Sequence, residues 1–220
     1  MFFGRDDELK LLQACYKAKT SKLVAVYGRR RVGKSSLVFE FLKDKQNFIK
    51  VEGVEGGDRS TQINEFLKAL GPEHKSTIFE KIKFSTWSDV FTYLTEYVFD
   101  KPGKKVLFLD EFQWLAGSRS SLPSLIKTYW DKYWQKQNVM LILCGSIASF
   151  MVKKVINSKA LYGRINEVIL LQSLEPKTAM KFFRNKRSKH EIVQYLLLFG
   201  GIPKYLEEIK LNRSLKSNIE

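Results

Sequence analysis

A five-stranded parallel sheet covered by helices, followed by a small helical appendage, is the fold class that this sequence predicts. Three observations predict it. From residue 1 to about 174, short apolar runs alternate with stretches of helical spacing, the pattern of right-handed β-α-β crossovers. Two of the runs, Val106–Leu109 and Val139–Cys144, are apolar throughout, as in strands buried on both faces of a parallel sheet. From Pro176 onward no strand pattern recurs and short helical stretches follow. The chain therefore divides into an α/β core, 1–174, and a helical lid, 175–220. A length of 220 residues suffices for one good-sized core with a small addition.

The elements follow in order. Leu23–Tyr27 is the first strand, and Lys34–Leu42 is a helix whose Leu37, Val38, Phe41 and Leu42 share a buried face. Asn47–Glu52 is the second strand and leads into the glycine-containing turn 53–57. Thr61–Leu70 has helical spacing and stops at Gly71-Pro72, as a helix should. A further helix runs from Trp87 to Val98, and Val106–Leu109 is a wholly apolar strand. Ser121–Gln135 is helical, while Val139–Cys144 and Glu167–Leu171 supply the last two strands. In the lid, Pro176–Phe183, Lys189–Phe199 and Pro203–Ile209 read as short helices.

Between the first strand and its helix lies Gly28-Arg29-Arg30-Arg31-Val32-Gly33-Lys34-Ser35, which fits G-x-x-x-x-G-K-[ST], the Walker A pattern. A glycine-rich turn in that position can wrap backbone N–H groups around a phosphate chain, and the helix N-terminus adds partial positive charge. Lys34 then reaches the β- and γ-phosphates, the Ser35 hydroxyl ligates Mg²⁺, and Ser36 completes the nucleotide-contacting run. The run Val106-Leu107-Phe108-Leu109-Asp110-Glu111 has the Walker B form, an apolar strand ending in an acid. Asp110 is placed to organise the Mg²⁺ shell. Glu111 either polarises the attacking water or caps the strand as a solvent-exposed acid. Ser146, after the fourth strand, is either a sensor of phosphate and lytic water or a turn serine capping the helix that starts near Ala148. Arg164 is either a positive charge for the γ-phosphate or a plain surface arginine.

Composition bounds the remaining possibilities. Hydrophobic content of 44% and charged content of 28% suit a globular protein. The most apolar stretch, 139–152, is too short for a membrane span and is broken by Gly145 and Ser146. The N-terminus carries charge where a secretory peptide needs its apolar core, and Cys15 and Cys144 lack metal-ligand spacing. Reduced core thiols and a cytoplasmic address are the expectation. A net charge of +15 suits either a nucleic-acid partner or a solvated face. Lys181, Arg184, Lys186 and Arg187 crowd one lid segment and are the DNA-contact candidates. Tyr129, Trp130, Tyr133 and Trp134 form either a packing face or a base-stacking platform.

Together these motifs resemble the archaeal-type ATPase family of the STAND class, signal-transduction ATPases of the broader AAA+-like group. The resemblance runs from Phe3-Gly4-Arg5-Asp6-Asp7-Glu8-Leu9 through the triple-arginine loop, Leu109-Asp110-Glu111-Phe112 and Trp130-Asp131. It continues through residues 141–146 and Leu161-Tyr162-Gly163-Arg164 to Gly200-Gly201-Ile202-Pro203-Lys204-Tyr205-Leu206. It implies a P-loop NTPase core of the ASCE type, with ATP or ADP and Mg²⁺ as cofactors. Phe3, Gly4 and Arg5 are then expected near the adenine, with Pro203 packing on the base from the lid. Ser146 and Arg164 become sensors, Arg164 within the chain or in a neighbour. Preference for ATP over GTP rests on the resemblance, together with the lack of an N-K-x-D element. Relatives of this kind continue into a winged-helix segment and a further domain resembling restriction endonucleases, whereas this sequence ends at Glu220, within or just after the lid. The expected function is a Mg-dependent, slowly hydrolysing ATPase switch, open to protein partners or self-association. The alternative is a DNA- or protein-binding module that holds its nucleotide with little turnover.

Overall fold

The structure is a computed structural model that describes residues 2–117 and 120–219. It opens with helix α1 (Asp6–Lys17), strand β1 (Lys22–Gly28), helix α2 (Lys34–Leu42) and strand β2 (Phe48–Glu52). Helices α3 (Arg59–Ala69) and α4 (Trp87–Tyr93) lead to strand β3 (Lys105–Asp110), and α5 (Phe112–Ala116) and α6 (Leu122–Lys132) to β4 (Val139–Gly145). The short α7 (Ala148–Phe150) precedes β5 (Ile165–Leu171). Helices α8 (Pro176–Ala179), α9 (Lys189–Phe199), α10 (Pro203–Glu208) and α11 (Leu215–Ile219) close the chain.

All five strands pair in parallel, in the order β2-β3-β4-β1-β5. Their C-terminal ends, Gly28, Glu52, Asp110 and Gly145, therefore meet along one edge of the sheet. Strand alternation divides the core into two layers. Val24, Val26, Val106, Phe108, Ile142 and Cys144 face α1 and α2. Leu23, Ala25, Leu107, Leu109, Leu141 and Leu143 face α3, α4 and α6. A third cluster, around Leu174, Phe183, Ile192, Tyr195 and Leu206, forms the lid. The Leu174 N–H donates to the Gly201 carbonyl at 2.7 Å. A side chain at Gly201 would meet the Leu174 carbonyl oxygen at 2.1 Å.

Three elements differ from the sequence reading. Helix α1 arises where the sequence shows a charged motif; Asp6, Asp7 and Glu8 occupy its first turn, where acids suit the helix dipole, and Leu12 and Cys15 bury one face. The segment expected as a helix from Trp87 to Val98 is α-helical only to Tyr93 and widens into a π turn over Leu94–Phe99. There the Thr95 hydroxyl donates to the Phe91 carbonyl at 2.6 Å and accepts from the Trp134 indole N–H at 2.8 Å. A side-chain bond to the carbonyl four residues back competes with the helical ladder. The helix predicted over Ser121–Gln135 runs only from Leu122 to Lys132, then tightens into a 3₁₀ turn at Trp134–Lys136. Tyr129, Trp130 and Trp134 are buried and only Tyr133, 45% exposed, faces outward. The aromatic set is thus a packing face rather than a stacking platform.

Candidate functional site

The loop after β1 owes its shape to backbone geometry that its glycines allow. Gly28 adopts φ +154°, and a Cβ there would lie 2.2 Å from the Leu171 carbonyl oxygen at the end of β5. Gly33, at φ +96°, starts α2, whose first N–H groups have no partner within the helix and point at the loop. Arg31 also takes the left-handed region, at φ 69°. Lys34 is buried, and its ammonium donates to the carbonyls of Gly28 and Arg29 at 3.2 and 3.1 Å. The Lys34 charge thus sits within the curl of the loop.

Asp110 ends β3 beside this loop. The Ser35 hydroxyl and the Cys144 thiol both donate to its carboxylate, and the Glu111 N–H donates to Oδ1 at 3.0 Å. Burial pushes the Asp110 acid above its ordinary value despite these donors and the Lys50 ammonium, 4.0 Å away. Burial likewise pushes the Cys144 thiol well up, and the neighbouring Asp110 adds to it. A buried carboxylate held against a hydroxyl is a hard-oxygen donor pair of the kind Mg²⁺ takes alongside phosphate oxygens and water. The residues fit the ion.

Glu111 follows in the left-handed region, φ 46°, a turn that carries its side chain off the strand axis. Its Oε2 accepts from the Ser146 hydroxyl at 2.7 Å and from the Gln113 amide. Gln113, 3% exposed, also donates to Ser146 Oγ at 3.1 Å and accepts from the Ser146 N–H at 3.3 Å. The two residues singled out from β3 and β4 are therefore hydrogen-bonded to each other. Of the alternative roles for Ser146, the helix cap fails, because Ile147 is the N-cap of α7 and no side chain caps that helix. Gln113 escaped the sequence reading; the available signal was its position two residues beyond the acid, in the first turn of a helix.

A cavity of about 210 Å³ joins Lys34, Ser35, Ser36 and Glu111 from the core to Pro203, Lys204 and Glu207 from the lid. Arg30 and Arg31 border it; Arg31 lies over the Tyr205 ring at 5.4 Å, and Arg30 approaches Glu55 at 3.9 Å. A smaller recess of about 30 Å³ adjoins it, lined by Phe3, Arg5, Val32, Ser36, Phe182 and Pro203. The residues expected around an adenine, Phe3, Arg5 and Pro203, are thus brought together. Phe3 meets Phe182 edge to face at 4.9 Å. Arg5 ties the loop to β5, donating to the carbonyls of Val32 at 3.3 Å and Gln172 at 2.5 Å, and burial lowers its pKa from the ordinary value. Gly4 faces Thr178 and does not line the recess.

Arg164 is the clear departure. It precedes β5, whose first residue pairs with Leu23, whereas the phosphate loop follows the opposite end of β1. Its guanidinium Nε and Nη2 donate to the two carboxylate oxygens of Asp131, each at 2.7 Å. Parallel strand direction places Arg164 a full strand length from the γ-phosphate position of its own chain. Within its own chain it forms no part of this site. Arg187 is similarly occupied: it pairs with Glu191 at 2.9 Å and donates to the carbonyls of Leu211 and Arg213. It braces the lid instead of presenting charge outward.

A family model described as an ATPase domain predominantly from Archaea matches residues 2–209. An uncharacterized protein of Methanocaldococcus jannaschii is 30% identical over 214 residues, covering 96% of this chain and 44% of that protein. An uncharacterized ATP-binding protein of the same organism is 26% identical over 215 residues, covering 82% of this chain and 60% of its own length. The chain thus spans about half the length of these relatives. A Walker-type ATPase of Pyrococcus abyssi superposes with a TM-score of 0.74 at 24% identity, covering 99% of this chain and 71% of that one. A STAND protein with a tetratricopeptide repeat sensor from Pyrococcus horikoshii gives 0.58 at 20% identity, over 97% of this chain and 30% of that one. Both structures share the fold.

Proposed function

Since this chain belongs to the ATPase-domain family found predominantly in Archaea, we propose that it binds Mg·ATP between its core, 1–174, and its lid, 175–220, and hydrolyses it slowly as a STAND-type switch. The observation that carries this reading is one cavity lined by Lys34, Ser35 and Glu111, with Asp110 bonded to Ser35 and Ser146 bonded to Glu111 behind them. Loop N–H groups and Lys34 hold the β- and γ-phosphates. Ser35 and Asp110 would hold Mg²⁺, which when bound neutralises developing charge on the phosphate oxygens. Glu111 accepts a proton from the attacking water as the water oxygen bonds to the γ-phosphorus and the bond from that phosphorus to the β,γ-bridging oxygen breaks, releasing ADP and inorganic phosphate; Ser146 holds the carboxylate in place.

The adenine enters between Phe3 and Arg5 on one side and Pro203 on the other. The recess there adjoins the larger cavity and is bordered by Phe182 and Pro203 of the lid as well as by Phe3 and Arg5 of the core. A base held there touches both parts of the chain, so nucleotide occupancy is coupled to lid position.

Nucleotide titration and single-turnover hydrolysis test the reading together. Lys34→Ala should weaken ATP binding by at least about 30-fold, the loss of a charge-assisted bond worth roughly 2 kcal/mol. Glu111→Gln should keep ATP bound and lower turnover by about 10²-fold or more. Unchanged ATP affinity in the first variant removes the phosphate-loop assignment; surviving turnover in the second removes Glu111 as the base.

The net charge of +15 supports a second reading, in which the module also binds DNA. Lys181, Arg184 and Lys186 of the lid are its candidates. Such binding would be tolerant of sequence and would fall steeply between about 50 and 200 mM salt as condensed counterions are released. An anisotropy titration showing no binding at the lower salt makes the charge a solvated face.

A further inference from the structure

Gln113 spends its hydrogen-bonding capacity inside the site. Its amide nitrogen donates to both Glu111 Oε2 and Ser146 Oγ, and its amide oxygen accepts from the Ser146 N–H. At 3% exposure it is sealed from solvent, and none of these bonds supports a helix or a strand ladder. The neighbouring glycine matches this placement. A Cβ on Gly145 would sit 2.7 Å from the Gln113 amide oxygen, so the bare backbone at the end of β4 leaves room for that amide.

We propose that Gln113 is a positioning residue for the Glu111 carboxylate, fixing it to the end of β4 so that Oε2 is committed to hydrogen bonds and Oε1 is left to accept from water. This rests on the hydrolytic reading above. Glu111 needs such a fixture: it stands between a strand and a five-residue helix, in left-handed backbone, on a side chain with several free rotors. A general base must come within hydrogen-bond reach of its water, and a displacement of about 1 Å can cost about 10²-fold in rate. Glutamine suits the task because one amide offers a donor and an acceptor. The acceptor reads the backbone at Ser146 and the donor sets the carboxylate, so the spacing between the ends of β3 and β4 is transmitted to Glu111. Methionine would match the length with neither function, and glutamate would turn a second carboxylate toward the first.

The test compares Gln113→Met and Gln113→Glu in the wild-type and Glu111→Gln backgrounds, measuring kcat, KM, ATP affinity and thermal midpoint, with crystal structures of the wild type and both single variants. Each Gln113 variant should lower kcat by about 10- to 100-fold while leaving KM and ATP affinity within about twofold. In the Glu111→Gln background the same changes should cost less than about twofold, because a residue acting only through Glu111 has nothing left to position. In the variant structures the Glu111 carboxylate should leave the Ser146 hydroxyl. Equal losses of kcat in both backgrounds, or a Glu111 that stays on Ser146 without Gln113, would overturn the proposal. A wild-type chain without turnover defeats the hydrolytic reading by itself. The crystal structures then decide whether Gln113 positions Glu111. If the methionine variant fails to fold, the glutamate variant, which preserves shape and the acceptor, carries the comparison.

Discussion

Asp110 shows how one residue can serve the site at a cost to the fold. Its carboxylate is buried at the end of β3, and desolvation holds its acid above the ordinary value even with Ser35 and Cys144 donating to it. A carboxylate whose folded value is raised opposes folding at neutral pH, because the folded state resists ionisation more than the unfolded chain does. Asp110→Asn should therefore leave the metal-free chain at least as stable as the wild type by thermal unfolding in EDTA. The same variant should lose the stabilisation that Mg·ATP confers, since the charge opposite Ser35 is gone. A variant less stable in EDTA would show that the charge itself supports the fold.

Among the elements, the π turn over Leu94–Phe99 rests most directly on one side chain. Thr95 closes a bond to Phe91 and receives the Trp134 indole, joining α4 to the 3₁₀ turn beyond α6. Trp134 is fully buried against Phe91 and Phe99, with ring centroids at 5.0 and 5.5 Å. Thr95→Val keeps the volume, removes the acceptor, and leaves an indole N–H buried without a partner. Chemical denaturation should register a loss of about 1–3 kcal/mol. A loss below about 0.5 kcal/mol would mean that the indole finds another acceptor or that the bond contributes nothing net. ATP affinity should not change, because this contact lies in the layer under α4 and α6, away from the loop after β1.

For the molecule as a whole, the edge of the sheet opposite the site carries a pH response. His74 is buried near the starts of β2 and β3, and burial pushes its imidazole below the ordinary value. Glu73, at 3.4 Å, opposes this only in part, while Lys101 and Lys105 add to it. The unfolded chain therefore takes up the proton first as pH falls. Stability is complete above the ordinary histidine value of about 6.5 and declines as pH drops below it. Thermal midpoints recorded from pH 7.5 down to 5 should fall for the wild type, and His74→Gln should flatten that slope. An equal slope in the variant would assign the acid sensitivity to other groups.

The motif-bearing half of the site and the five parallel strands were legible in the residues alone, though not the order in which the strands pair. The central strands β1, β3 and β4 are short apolar runs that a surface segment would not tolerate, and Gly28, Gly33, Lys34 and Ser35 stand at spacings that only a strand–loop–helix turn makes useful. Local chemistry determines such features, because backbone geometry and burial on both faces act within a few residues. Tertiary structure decided the rest. Arg164 belongs to a motif whose resemblance implies a sensor, yet within its own chain strand direction carries it to the far edge and into the grip of Asp131. The Trp87 segment has helical spacing throughout, yet a contact with Trp134, 39 residues on from Thr95, widens its end. Gln113 has the look of an ordinary polar helix residue until β4 arrives alongside and places Ser146 within reach of its amide. Phe3, Arg5 and Pro203 likewise converge only because the lid folds back over the N-terminus. A sequence records which groups could bond; which of them meet depends on the direction and register of strands far apart in the chain.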